Sequence, residues 1–118
     1  MNQQADVIII GGGIHGASLA FHLTRLGVRP LILERYFTAS GATGRSSGLV
    51  RMHYDLEPES RLAWASFAYF RNWADMVGGE CGFTRTGFLQ IVSPAYSDQL
   101  RANVVMHQQI GIPALLVT

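Results

Sequence analysis

Charge of either sign is scarce in this chain. Charged residues fill 14% of its 118 positions and leave a formal net charge of +1, with the basic side chains scattered along the sequence. That balance leaves no electrostatic footprint for nucleic acid. A single cysteine, Cys81, excludes an internal disulfide and suits a reducing compartment, so cytoplasm is the expected location. The longest purely apolar run is far too short to span a bilayer. The first strand pattern starts at Asp6, which leaves no room for a signal peptide. His, Cys and acidic residues show no metal-ligand spacing, so no metal is expected. Repeats and low-complexity tracts are missing as well, and the length allows one domain at most.

What is present is concentrated between Asp6 and Glu34. A short apolar run, Val7 to Ile10, meets Gly11, Gly13 and Gly16 in the spacing G-x-G-x-x-G. A helical pattern follows and closes at Gly27, and a second apolar run, Leu31 to Leu33, ends in Glu34. The acid comes roughly 20 residues after the glycines, as in the dinucleotide fingerprint. Each part has a physical task there. Gly11 makes the tight turn out of the strand, Gly13 lets a pyrophosphate approach the backbone, and Gly16 lets helix and strand pack closely. Ile14 and His15 sit inside the turn beside the phosphate site, His15 as a neighbour and not as a catalyst. The helix N-terminus offers unpaired N–H groups and the positive dipole end to the phosphates. Glu34 is placed to accept hydrogen bonds from a ribose hydroxyl, and its charge repels a 2′-phosphate, which argues against NADP.

Residues 37–55 are small and polar, rich in Gly, Ser and Thr, and form a long loop with room for one helical turn. Its backbone N–H groups and hydroxyls suit a second part of the same cofactor. The pattern then predicts a helix from Pro58 to Val77, stopped by Gly78 and Gly79. Its apolar face is wide and expects cover on more than one side. A strand is expected over Phe88–Val92, a helix capped by Ser97 and ended by Gly111 and Pro113, and a last strand over Ala114–Val117. A two-stranded parallel pair does not stand alone in water, so the chain is expected to be incomplete as a single domain. It is read as the N-terminal piece of a larger protein, or as dependent on a partner subunit.

With these residues in view, the chain resembles the FAD-dependent D-amino-acid oxidase superfamily. The likeness lies nearest the sarcosine oxidase, dimethylglycine dehydrogenase and glycine oxidase branch. It rests on the opening fingerprint, on A-S-G-A-T-G-R-S-S-G-L-V-R (residues 39–51), on the aromatic-rich helix and on C-G-F-T-R-T-G-F-L-Q-I-V (residues 81–92). The resemblance implies an α/β fold: a Rossmann-like FAD-binding βαβ start over residues 1–55 and the beginning of an α+β substrate domain over residues 56–118. It places Gly11, Gly13 and Gly16 under the pyrophosphate, Glu34 on the adenosine ribose and Arg35 near the adenine. Thr43, Gly44, Arg45, Ser46 and Ser47 match the loop that lines the pyrophosphate, ribityl chain and flavin edge. Arg51 and His53 fall where members place basic or polar residues near the flavin face.

The implied activity is oxidation of the C–N bond of a small amine or N-methyl amino acid by hydride transfer to FAD. Two alternatives stay open. One is the same fold acting on an alcohol such as glycerol 3-phosphate or a 2-hydroxy acid. The other is a non-catalytic nucleotide-binding subunit completed by a partner chain. Arg51 reads either as the holder of a substrate carboxylate or as a loop arginine in a structural salt bridge. His53 reads either as a group that tunes the flavin or positions an amine, or as a half-buried hydrogen-bonded residue. His22 and His107 read as packing or surface, and the aromatics of the long helix as core.

Overall fold

A computed structural model describes residues 4–117, which divide into two compact units, up to Leu49 and from Val50 onward. The first unit is a βαβ element. Strand β1 (Val7–Ile10) leads through the glycine turn into helix α1 (Ile14–Arg25), and strand β2 (Pro30–Leu33) returns beside β1. The strands run parallel in the register Val7–Pro30 to Ile10–Leu33. Short runs of branched apolar residues favour the extended backbone, and the crossover that a parallel pair requires supplies the helix. Asp6 sets the start of the ladder. Its carboxylate takes the Arg29 backbone N–H at 2.9 Å, Arg29 Nε at 3.1 Å and Arg29 Nη2 at 2.8 Å. The guanidinium and backbone of Arg29 lower the Asp6 pKa to about 2.

Because side chains alternate across the pleat, α1 covers only one face of this sheet. Ile9 on that face is buried, whereas Ile8, Ile10, Leu31 and Leu33 on the other are 60%, 90%, 43% and 48% exposed within the described residues. Parallel sheets normally carry cover on both faces, so within the described residues the βαβ element is a partial layer.

The second unit is helical. Helix α2 (Glu57–Arg71) packs against helix α4 (Ser97–Ile110), and a single further turn, α3 (Trp73–Met76), follows α2. Phe67 and Ile112 are its buried apolar residues. Phe67 stacks on Trp64 at 5.7 Å and meets Phe83 edge-on at 5.7 Å. Burying such a ring contributes about 1.5–3 kcal/mol. Gly111, at φ 93°, ends α4: its N–H bonds to Gln108 O, and the N–H of Ile112 reaches back to His107 O at 2.9 Å. That pair of bonds is the Schellman arrangement, with Ile112 as its apolar anchor.

Four local expectations need correction. The long helix stops at Arg71, because Asn72 leaves helical geometry (φ −124°, ψ 38°) and its side-chain amide bonds to Ala68 O at 3.0 Å. Ser97 is the first helical residue and caps nothing. Tyr96 holds the cap position after a 3₁₀ turn over Pro94–Tyr96. Neither Phe88–Val92 nor Ala114–Val117 is a strand among the described residues. A strand needs a ladder partner for its backbone groups, and this unit offers these segments none. No described helix is long and apolar enough to cross a membrane.

The Asp6 carboxyl should titrate near pH 2 in a carbon-detected NMR experiment. Its folded pKa lies below the unfolded value, so the clamp favours the folded chain above roughly pH 4 and loses that effect as pH falls toward 2. Phe67→Ala should cost about 3–5 kcal/mol in urea-induced unfolding.

Candidate functional site

The glycine turn is built from backbone demands. Gly11 sits at φ 108°, a conformation that favours glycine, and its N–H still pairs with Leu33 O at 2.8 Å. A Cβ on Gly16 would overlap the Gly11 carbonyl oxygen, so the first turn of α1 packs backbone against backbone. Gly13, in extended conformation, holds the cap position of α1 with no side chain to cap it. A Cβ there would stand 3.0 Å from Thr43 Oγ1. That hydroxyl accepts the N–H of Ile14 at 2.9 Å. Among the described residues the N–H groups of His15 and Gly16 find no partner, as is usual for a first helical turn.

Glu34 closes the turn from the tip of β2. Its Oε2 accepts the Gly12 N–H at 2.7 Å and its Oε1 the Tyr36 N–H at 3.0 Å. The Gly12 N–H, then that of Tyr36, holds the carboxyl below its ordinary pKa, so it is ionised at neutral pH. Each oxygen keeps a further lone pair. Beyond it the Arg35 guanidinium lies 4.7 Å from the centre of the Tyr36 ring. The loop returns at Ala39, whose N–H bonds to Gly12 O at 2.9 Å, and makes the 3₁₀ turn Thr43–Arg45. A Cβ on Gly44 would lie 2.5 Å from Ala39 O, so glycine is needed for that close return. Gly11, Gly13, Ile14, Gly16, Glu34 and Thr43 therefore converge on one corner. Arg45, Ser46 and Ser47 continue from it as exposed residues, and His15 is exposed at its edge.

This corner fits an FAD molecule. Two backbone donors unpaired among the described residues stand at the N-terminus of α1, the bare Gly13 lets Thr43 come close beside them, and an ionised carboxylate stands one strand away for a sugar hydroxyl. Gly11, Gly13, His15 and Gly16 would hold the diphosphate, and Glu34 the ribose.

Arg51 and His53 belong to the second unit and border a groove of about 760 Å³. The groove is lined mainly by apolar side chains. Arg51, Arg85 and Arg101 also border it, and among the described residues no acidic one does. The Arg51 guanidinium lies 5.2 Å from the Tyr54 ring centre and 5.6 Å from that of Phe88. Among the described residues it forms no salt bridge. His53 is half-buried, with its ring 4.8 Å from His107 and 6.0 Å from Phe88. Burial first, and then the neighbouring His107, pushes its pKa below the ordinary histidine value.

Sequence reasoning missed the polar cluster beneath these residues. Ser60, Asn103 and His107 are buried and bonded to Tyr54 and Asp55. The available signal was Gln99, Asn103 and His107 at four-residue spacing, a polar line beside the apolar stripe of the helix.

Gly16→Ala should destabilise the first unit by about 1–3 kcal/mol, through overpacking against the Gly11 carbonyl. Thr43→Val should cost about 0.5–1 kcal/mol, the worth of the hydrogen bond to Ile14. Both are read from urea unfolding. His53 should titrate below pH 6.5 by proton NMR. Its folded pKa is depressed, so the neutral ring favours the folded state above about pH 6.5, and that contribution is lost as pH falls through the folded value.

The chain is 33% identical over 129 residues to the mouse FAD-dependent oxidoreductase domain-containing protein 1, covering 98% of this chain and 26% of that protein. It is 49% identical over 49 residues to one polypeptide of the anaerobic glycerol-3-phosphate dehydrogenase of Escherichia coli K12, covering 42% of this chain and 9% of that protein. Mouse mitochondrial dimethylglycine dehydrogenase is 27% identical over 100 residues, covering 83% of this chain and 12% of that protein. The fold matches the crystal structure of L-proline dehydrogenase from P. horikoshii with a TM-score of 0.88 at 24% identity, over 100% of this chain and 31% of that one. The chain thus spans about a quarter of the length of the first of these relatives, and less of the other two. Residues 6–118 match the DAO family of FAD-dependent oxidoreductases, an α/β family whose cofactor is FAD, and the chain belongs to it.

Proposed function

We propose that this chain is the FAD-binding start of an oxidoreductase that oxidises the C–N bond of a small amine or N-methyl amino acid. The observation that carries this reading is the corner at Gly11–Gly16, where N–H groups unpaired among the described residues open α1 beside the turn that the ionised Glu34 closes. Bound FAD supplies the hydride acceptor. The chain's own residues bind and orient. Glu34 accepts the ribose hydroxyls, Arg35 lies near the adenine, and Thr43 to Ser47 line the flavin side of the loop. In the second unit Arg51, free of any described ion pair, takes the substrate carboxylate in a bidentate contact. His53, neutral at pH 7, places no positive charge in the way of a substrate amine.

The likeness to dimethylglycine dehydrogenase supports an amine substrate. The 49% identity to the glycerol-3-phosphate dehydrogenase polypeptide supports a second reading, an alcohol bearing phosphate. Three arginines bordering a groove without acids suit an anion of either kind. The 118 residues by themselves are proposed not to turn over, with the uncovered face of the β1–β2 sheet awaiting further polypeptide or a partner subunit. We place the protein in the cytoplasm.

Two measurements test this. Glu34→Ala should weaken FAD binding roughly tenfold or more in a flavin-fluorescence titration, since a charge-assisted acceptor is lost; unchanged affinity would remove Glu34 from the site. Anaerobic addition of N-methyl amino acids to the flavin-loaded full-length protein should bleach its visible absorbance, whereas bleaching by glycerol 3-phosphate alone would select the second reading.

A further inference from the structure

Three polar side chains in the second unit are almost wholly withdrawn from water: Ser60 (0% exposed), His107 (1%) and Asn103 (5%). None has a role in the reading above. Burying such groups is costly unless every one is bonded, and here each is. Their bonds converge on two adjacent residues. Ser60 Oγ donates to Tyr54 O at 3.1 Å. His107 Nε2 lies 3.0 Å from the same carbonyl and 3.2 Å from Ser60 Oγ. A carbonyl cannot donate, so Nε2 carries the hydrogen. Asn103 Nδ2 donates to Asp55 Oδ1 at 2.7 Å, and Gln99 Nε2 donates to Asn103 Oδ1 at 3.2 Å.

A device for joining α2 to α4 would run from helix to helix. Only the His107–Ser60 contact does so; the bonds to Tyr54 and Asp55 run instead to the irregular segment between Arg51 and α2. That segment has no ladder or helix to fix it, so these bonds determine its course. Its Tyr54 ring is one of the two aromatic faces against the Arg51 guanidinium. We infer that Ser60, Asn103 and His107 are positioning residues: by pinning Tyr54 and Asp55 they set the direction of Arg51, and with it discrimination for a carboxylate-bearing substrate. The inference rests on the reading of Arg51 given above. A misdirected guanidinium loses its bidentate geometry, so the effect falls on the acid substrate and spares an amine without a carboxylate.

Asn103→Asp sets a carboxylate against Asp55, and the double variant Asp55→Asn, Asn103→Asp restores one donor and one acceptor with the roles exchanged. In the flavin-loaded full-length protein, the ratio of kcat/KM for an N-methyl amino acid to that for the matching N-methylamine should fall about tenfold or more in Asn103→Asp, through KM for the acid. The double variant should recover most of that ratio. Equal losses on both substrates, an unchanged ratio, or no recovery would overturn the assignment. Arg51→Met, measured alongside, separates the two levels of the argument. If it leaves the ratio unchanged, the carboxylate reading of Arg51 fails. The positioning claim is then decided by the Arg51 side-chain NMR signals, shifted upfield by two ring faces. Their shift should collapse in Asn103→Asp and return in the double variant, and persistence of the shift in Asn103→Asp would refute it.

Discussion

One hydrogen bond, from the Gly12 N–H to Glu34 Oε2, governs the shape of the nucleotide corner. It fastens the end of β2 to the turn that follows β1, so the register of the parallel pair and the path of the glycines are fixed together. Because the acceptor is charged and the donor part-buried, the bond is of the stronger kind. It also orders the carboxylate before any ligand arrives. A sugar bound as proposed would meet an acceptor already oriented and ionised, with little side-chain freedom left to lose. Thr43 acts in the same way from the opposite side, by taking the Ile14 N–H and drawing the returning loop over the start of α1.

The second unit follows a different logic. Its apolar cluster of Trp64, Phe67, Phe70 and Phe83 supplies cohesion without direction. Direction comes from the buried hydroxyl, amide and imidazole, whose bonding geometry admits few alternatives. Arg51 rests on aromatic faces and has no acid partner among the described residues, so its charge stays available to an anion while its plane is held. A salt bridge would have held the plane and consumed the charge.

The βαβ element was legible in the sequence because its requirements are local. Gly11 must reach a positive φ, Gly16 must touch a backbone carbonyl, and an acid must stand at the tip of the next strand; each demand leaves a residue type at a fixed spacing. The end of α2 is hidden in the sequence because Asn72 departs from the helix through its own side-chain bond to Ala68, while the apolar pattern continues across it to Met76. The segment Phe88–Val92 has strand composition, but a strand is a pairing and not a composition. From the sequence His107 reads as packing or surface. It is packed, yet its meaning lies in contacts with Tyr54 and Ser60, which no periodicity along α4 reveals.

The spacing of these contacts along the chain has a kinetic consequence. The bonds that shape the nucleotide corner close loops of 22 and 29 residues, whereas those from His107 to Ser60 and Tyr54 close loops of 47 and 53. Doubling a loop adds only about 0.6 kcal/mol of closure entropy, so neither set is much favoured at equilibrium. Rates are more sensitive to contact order, and short-range closures form sooner. The short-range closures at the glycine turn are therefore expected to form ahead of the long-range ones beneath Arg51.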